Sequence, residues 1–227
     1  MKKNITQKIR VIKKLPLGLS LAFLAFLSYQ ALFPSVPSNA ATAEVELELE
    51  VAPTLEMALD KTSLTLTNNG ETEILPTSEG VQVTGDINVY VTTNNPEGYS
   101  LELYTQDATT DMKHINSSVS ASIAATSGGS TLAANTWGFR SNETSGSWVA
   151  VAASASATPA YVTEHGEASS SICTDIATNY ESCYESGAAK KNTVTFGANI
   201  TDALPSGRYT NDVVFSVVAP PSSVAGN

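Results

Sequence analysis

Two cysteines, two histidines and a few acids are the residues of this 227-residue chain whose types and spacing could do chemistry. Cys173 and Cys183 stand ten places apart in ICTDIATNYESCY. In an exported chain an isolated pair of this kind predicts a disulfide. Closing so short a loop stabilises a fold by roughly 2.5–3 kcal/mol in the chain-entropy description. A metal site would need further ligands, and His165 is the only near one. His114 sits in DMKHIN and His165 in TEHGE, so the paired histidines of a zinc protease are missing. No G-x-S-x-G elbow, phosphate loop or dinucleotide fingerprint occurs.

Carboxylates offer three further chemistries. Asp107 and Asp111 in QDATTD lack the alternating acids and glycine of a calcium loop, and read as solvated loop acids. Glycoside hydrolysis needs only two positioned carboxylates, and the 22 acids here single out no pair. Lys61 and Asn211 lie in the first and last parts of the β-rich region, where a Lys–Asn crosslink could form. Their surroundings match no crosslink motif, so an exposed lysine and a turn-side asparagine are expected. No catalytic, cofactor-binding or metal-ligating residue is therefore assigned.

What must position any such group is a body of strands. DINVYVTTNNPEGYSLELYT reads as a β-hairpin, with Ile87, Val89 and Val91 alternating before the loop and Tyr99, Leu101 and Leu103 after it. SLTLT, TWGFR, GSWVAV, TVTFGANI and RYTNDVVFSVVA read as further strands, with Trp137, Phe139 and Trp148 as core candidates. Residues 174–180 carry a short helical possibility inside the cysteine loop. Residues 106–170 are rich in Ser, Ala, Thr and Gly, which predicts long loops with short strands. Many short strands with turn residues between them imply an all-β fold. The expected form is an antiparallel Ig-like or jelly-roll-like β-sandwich with long Ser/Ala-rich loops, preceded by an N-terminal signal helix.

The chain opens with six basic residues and no acid, then the apolar run LPLGLSLAFLAFLSYQALF, then Pro34, Pro37 and PSNAATA. These are the parts of a secretory signal peptide, with small residues that suit a cut after Ala40 or Ala43. The run is also near the ~20 residues that span a bilayer, so an uncleaved anchor is the alternative. The domain plan is a signal peptide or membrane anchor over 1–43, a β-sandwich over 44–219 and a tail over 220–227. The 22 acids and only six of the 12 bases follow Ala43, a balance of about −16. Such a surface repels nucleic acid and anionic lipid headgroups. A membrane is expected as a partner only through an uncleaved leader.

EVELELEV, residues 44–51, alternates without a fault. In a strand, Val45, Leu47, Leu49 and Val51 form one apolar stripe and the glutamates face water. Burying that stripe is worth on the order of 6–10 kcal/mol before entropy, so it must cover something. It is either this chain's own first strand or a strand donated to a neighbouring copy.

The order VTTNNPEGYSLELYT, TWGFR and VTFGANITDALPSGRYTNDVVFSVVA resembles a group of uncharacterised exported β-sandwich proteins from surface-dwelling bacteria of the candidate phyla. The likeness covers most of residues 81–218. The ending is more distantly similar to wall-binding WxL domains and to strand-exchanging pilus subunits. Neither Trp137 nor Trp148 is followed by x-Leu, which departs from the WxL pattern. The resemblance implies an extracellular or cell-surface protein that is structural or adhesin-like and not an enzyme. Its partner would be a surface ligand or envelope protein, with self-assembly into a fibre as the alternative and a secreted hydrolase as a third reading.

Overall fold

A computed structural model describes residues 51–154 and 158–220. The signal helix and Val45, Leu47 and Leu49 lie outside the described residues. Within them the chain is all-β apart from one short helix, and two sheets pack face to face.

The strands are β1 (Leu55–Leu59), β2 (Val81–Thr93), β3 (Tyr99–Thr105), β4 (Met112–His114), β5 (Ser122–Ala125), β6 (Thr136–Arg140), β7 (Ala160–Gly166), β8 (Lys190–Ile200), β9 (Tyr209–Thr210) and β10 (Val213–Val218); the helix α1 (Ile176–Glu185) falls between β7 and β8. The larger sheet has seven strands in the order β1-β2-β8-β6-β5-β4-β9. The smaller has three, β10-β3-β7. Every pairing is antiparallel except β5 with β6.

Alternation explains the core. In β2 and β8, Val83, Val89, Val91, Val194 and Phe196 share the face turned to the smaller sheet. Leu101, Leu103 and Val162 meet them from β3 and β7, and Trp137 and Phe139 from β6. Each large side chain sealed here contributes about 1.5–3 kcal/mol. Among the described residues, no buried side-chain nitrogen or oxygen lacks a hydrogen-bond partner.

Several sequence expectations change. The β2 and β3 segments do not form a hairpin: β2 pairs with β1 and β8, while β3 pairs with β7 and β10. Residues 94–98 turn the chain from one sheet to the other. Asn95, buried in that corner, accepts from the Glu97 amide at 3.1 Å and donates to the Pro220 carbonyl at 2.8 Å. Gly98 has φ +74, and a Cβ there would run into the Gly166 carbonyl, so only glycine fits. RYTNDVVFSVVA is likewise split. β9 joins the larger sheet and β10 the smaller, because Asn211 turns aside to donate to the Thr110 and Asp111 carbonyls.

SLTLT and GSWVAV are not strands. Thr67 makes one bridge to Thr84, and Trp148 and Val149 bridge Gly129 and Phe139. Leu64 and Leu66 still pack on the core. The helix starts at Ile176, two residues after the expected Thr174, and runs five past Tyr180 to Glu185.

Candidate functional site

Tyr90 has the opposite parity to Val89 and Val91, so it leaves the core and sits on the outer face of the larger sheet. That face is covered by α1, although only Ile176 and Cys183 of its ten residues are buried. So thin an apolar stripe does not fasten a helix by itself. The fastening is the disulfide Cys173–Cys183, whose Cα atoms are 5.8 Å apart. The Cys173 amide adds a 3.1 Å hydrogen bond to Thr92 Oγ1 of β2. Tyr90 donates its hydroxyl hydrogen to Glu181, and its ring lies 4.8 Å from that of Tyr180 and 6.3 Å from that of Tyr184. Lys191, its register partner on β8, places Nζ 5.6 Å from the centroids of Tyr90 and Tyr184. Burial foremost, then the Glu181 carboxylate, pushes the Tyr90 phenol well above the usual tyrosine range. The expected disulfide is thus present: it ties α1 to the segment just before it, and the Cys173 amide joins that segment to β2.

The remaining sequence candidates are scattered. His114 lies on β4 with its ring 5.1 Å from Tyr209, and His165 is exposed on β7 in the other sheet. Asp107 pairs with Lys113 at 3.1 Å, while Asp111 accepts from Ser122 Oγ at 3.0 Å. Lys61 donates to the Asp86 carbonyl at 2.9 Å, whereas Asn211 holds the β9–β10 break. Among the described residues, no three His, Cys, Asp or Glu converge as metal ligands.

The more consequential geometry is an asymmetry of the core. β1 ends the larger sheet and β10 ends the smaller, on the same flank. In the middle of the molecule Val89, Val91, Leu101, Leu103 and Val194 are fully enclosed. On the flank the inward-facing Leu55, Met57 and Leu59 of β1 and Val213, Phe215 and Val217 of β10 are only half-buried. Among the described residues, neither strand has a second partner on that edge. Val51, four residues before β1, is 70% exposed.

Sequence reasoning missed two clusters. The tyrosines around Lys191 were signalled by the parity of Tyr90 and by NYESCY inside the cysteine loop. The other is Arg140, whose guanidinium carbon lies 4.8 Å from the Trp148 ring centroid. Nothing in the sequence brings those two together, because the loop between them has no periodicity.

No protein-family model matches this chain, and no curated protein matches it in sequence.

Proposed function

We propose that this is a secreted or cell-surface structural module, adhesin-like and non-enzymatic. It is built as an Ig-like or jelly-roll-like sandwich and exported by its N-terminal leader. The observation that carries the reading is the Cys173–Cys183 clamp. A helix with two buried residues is held in place by a bond of the kind typical of oxidising compartments. The resemblance to exported candidate-phyla proteins points the same way. The sandwich acts as a rigid platform, and the loops between 106 and 170 are the surface it offers. Cell fractionation with intact-mass measurement tests this. Recovery outside the cytosol, as a product lighter by the leader and bearing an oxidised cysteine pair, is expected. Recovery from cytosol alone, with free thiols, overturns it.

The open flank favours a second reading, a fibre subunit. Half-buried apolar side chains beside two edges that no described strand pairs are what an added strand would complete. The occupant proposed is the stripe Val45, Leu47, Leu49 and Val51 of a second copy, with its glutamates facing solvent. Deleting residues 44–51 separates the two readings. Loss of high-mass species with an unchanged melting temperature identifies a donor strand. A monomer that melts earlier identifies an ordinary internal strand.

A further inference from the structure

The outer face of the larger sheet has a second covered region, on the side away from α1. Gly138 of β6 and Gly197 of β8 are register partners. Together they leave a bare strip of backbone, and Trp148 lies on it: a Cβ at Gly197 would enter its ring, and one at Gly138 would come within 2.6 Å of the Val149 carbonyl. Trp148 is 1% exposed as a result. Its remaining flank is taken by the guanidinium of Arg140. The next row of the sheet runs across three strands, with Thr195 paired on one side to Arg140 and on the other to Asp86.

Beside this stack is a cleft of about 310 Å³, lined by Arg140, Ser141, Asn142, Ser145, Thr193 and Thr195. Its rim is the loop of residues 141–147, which is internally tied. The Ser141 amide donates to Thr144 Oγ1 at 3.0 Å, Thr144 Oγ1 donates back to the Ser141 carbonyl at 3.0 Å, and the Ser147 amide donates to the Thr144 carbonyl at 2.9 Å. Both ends are anchored, one by β6 and the other by the paired backbones of Val149 and Phe139. A rim already held in shape loses little freedom when a ligand enters.

The chemistry of the lining is selective. The ion pairs among the described residues use Lys61, Lys113, Lys190 and Lys191, and Arg140 takes part in none of them. Thr193 donates to Asn88 and Ser141 to the Val162 carbonyl, whereas the side chains of Asn142, Ser145 and Thr195 make no hydrogen bond within the described residues. So, among the described residues, this acidic chain lines the cleft with an arginine that is in no ion pair and with hydroxyl and amide groups that make no internal hydrogen bond. A planar fork matches a carboxylate with two parallel hydrogen bonds, which an ammonium cannot do. Hydroxyls and an amide match the hydroxyls of a sugar ring, and the volume is at the small end of ligand sites, about 300–1,000 Å³.

We propose that this cleft binds a carboxylate-bearing sugar residue, of the uronic-acid class, with Arg140 on the carboxylate and Asn142, Ser145 and Thr195 on ring hydroxyls. The proposal deepens the adhesin-like reading by giving it a ligand class. It is measured on the purified protein, so its failure leaves the compartment result untouched.

The test is a nuclear magnetic resonance titration of the full chain with glucuronic acid, with glucose and inorganic phosphate added separately at matched ionic strength. Saturable shifts are expected at the amides of residues 141–146, 193 and 195 and at the Trp148 indole. Glucose, which lacks the carboxylate, should bind at least about tenfold more weakly, the scale of one lost charge-assisted contact, and inorganic phosphate, which can still pair with the fork but offers no ring hydroxyls, should bind severalfold more weakly. Arg140→Gln should lose about tenfold or more, and Arg140→Lys, which keeps the charge without the fork, severalfold. Thr195→Val, which leaves the Trp148 stack in place, should also weaken binding severalfold and covers the case in which the arginine variants melt early. The idea is sunk by the absence of saturable shifts, by glucose or phosphate binding as well as glucuronic acid, or by Arg140→Gln and Thr195→Val both matching the parent.

Discussion

Tyr90 of β2 and Glu181 of α1, 91 residues apart in sequence, are joined by a hydrogen bond from the phenol to the carboxylate. With the disulfide beside it, this bond converts a weakly apolar helix into a fixed part of the outer surface. Tyr90 is fully enclosed although it points away from the main core. The helix therefore exists in this position because of cross-links, and perturbing them should be felt locally first.

Breaking the disulfide is the most direct perturbation. Cys173→Ser with Cys183→Ser should destabilise the protein by about 2–3 kcal/mol, from the restored freedom of the unfolded chain. Reductant added to the parent should have the same effect. Thermal melts of the parent, the reduced parent and the double variant check this. Reductant should leave the double variant's melting temperature unchanged.

Alkaline pH should act through the same cluster. The folded pKa of Tyr90 is raised, chiefly by burial, above the unfolded value near 10. The folded state therefore holds its proton over a range in which the unfolded state has released it. Stability is full below about pH 10 and falls as pH rises from there toward the raised folded value. Tyr99 and Tyr209, also raised by burial, add to the same fall. Urea melts between pH 8 and 11.5 should show this decline. Tyr90→Phe should flatten it while lowering stability at neutral pH by about 1 kcal/mol through the lost hydrogen bond.

Trp148 depends on the absence of a side chain beneath it. Gly197→Ala places a methyl group in the volume of its ring. Overpacking of this kind costs about 1–3 kcal/mol. Urea denaturation followed by tryptophan emission would show the lower midpoint. The native emission should shift to the red as Trp148 is lifted toward water.

The core should prove unequal from one flank to the other. Phe139 is fully enclosed, and truncating it to Ala should cost about 3–5 kcal/mol. Phe215 on β10 is half-buried, so Phe215→Ala should cost roughly half as much. Native-state hydrogen exchange provides a parallel view. Amides of β2, β8 and β3 should exchange slowest, and those of β1 and β10 that face away from their partners should exchange near the unprotected rate.

Alternation made much of this fold legible. Val89, Val91, Leu101, Leu103, Val194 and Phe196 were readable as inward-facing from their period of two, and all are in the core. TWGFR is a strand at the expected residues, with Trp137 and Phe139 buried. The cysteine pair was readable from its isolation. SLTLT shows the limit, since it alternates and yet forms only a bridge at Thr67. No neighbouring strand takes its edge, so its leucines pack from an irregular segment.

By itself the sequence determined which residues turn inward, that the body is β, and that Cys173 and Cys183 are close enough along the chain to join. Tertiary structure alone decided that β2 and β3 belong to different sheets, that β9 and β10 part at Asn211, that β1 and β10 share an open flank, and that Arg140 meets Trp148. The physical reason is that a period of two records only which face of a strand is apolar. Backbone hydrogen bonds, which choose the neighbouring strand, are made by groups identical in every residue. Partner choice therefore rests on long-range packing and on single side chains such as Asn95 and Asn211, whose neighbours in space are distant in the chain.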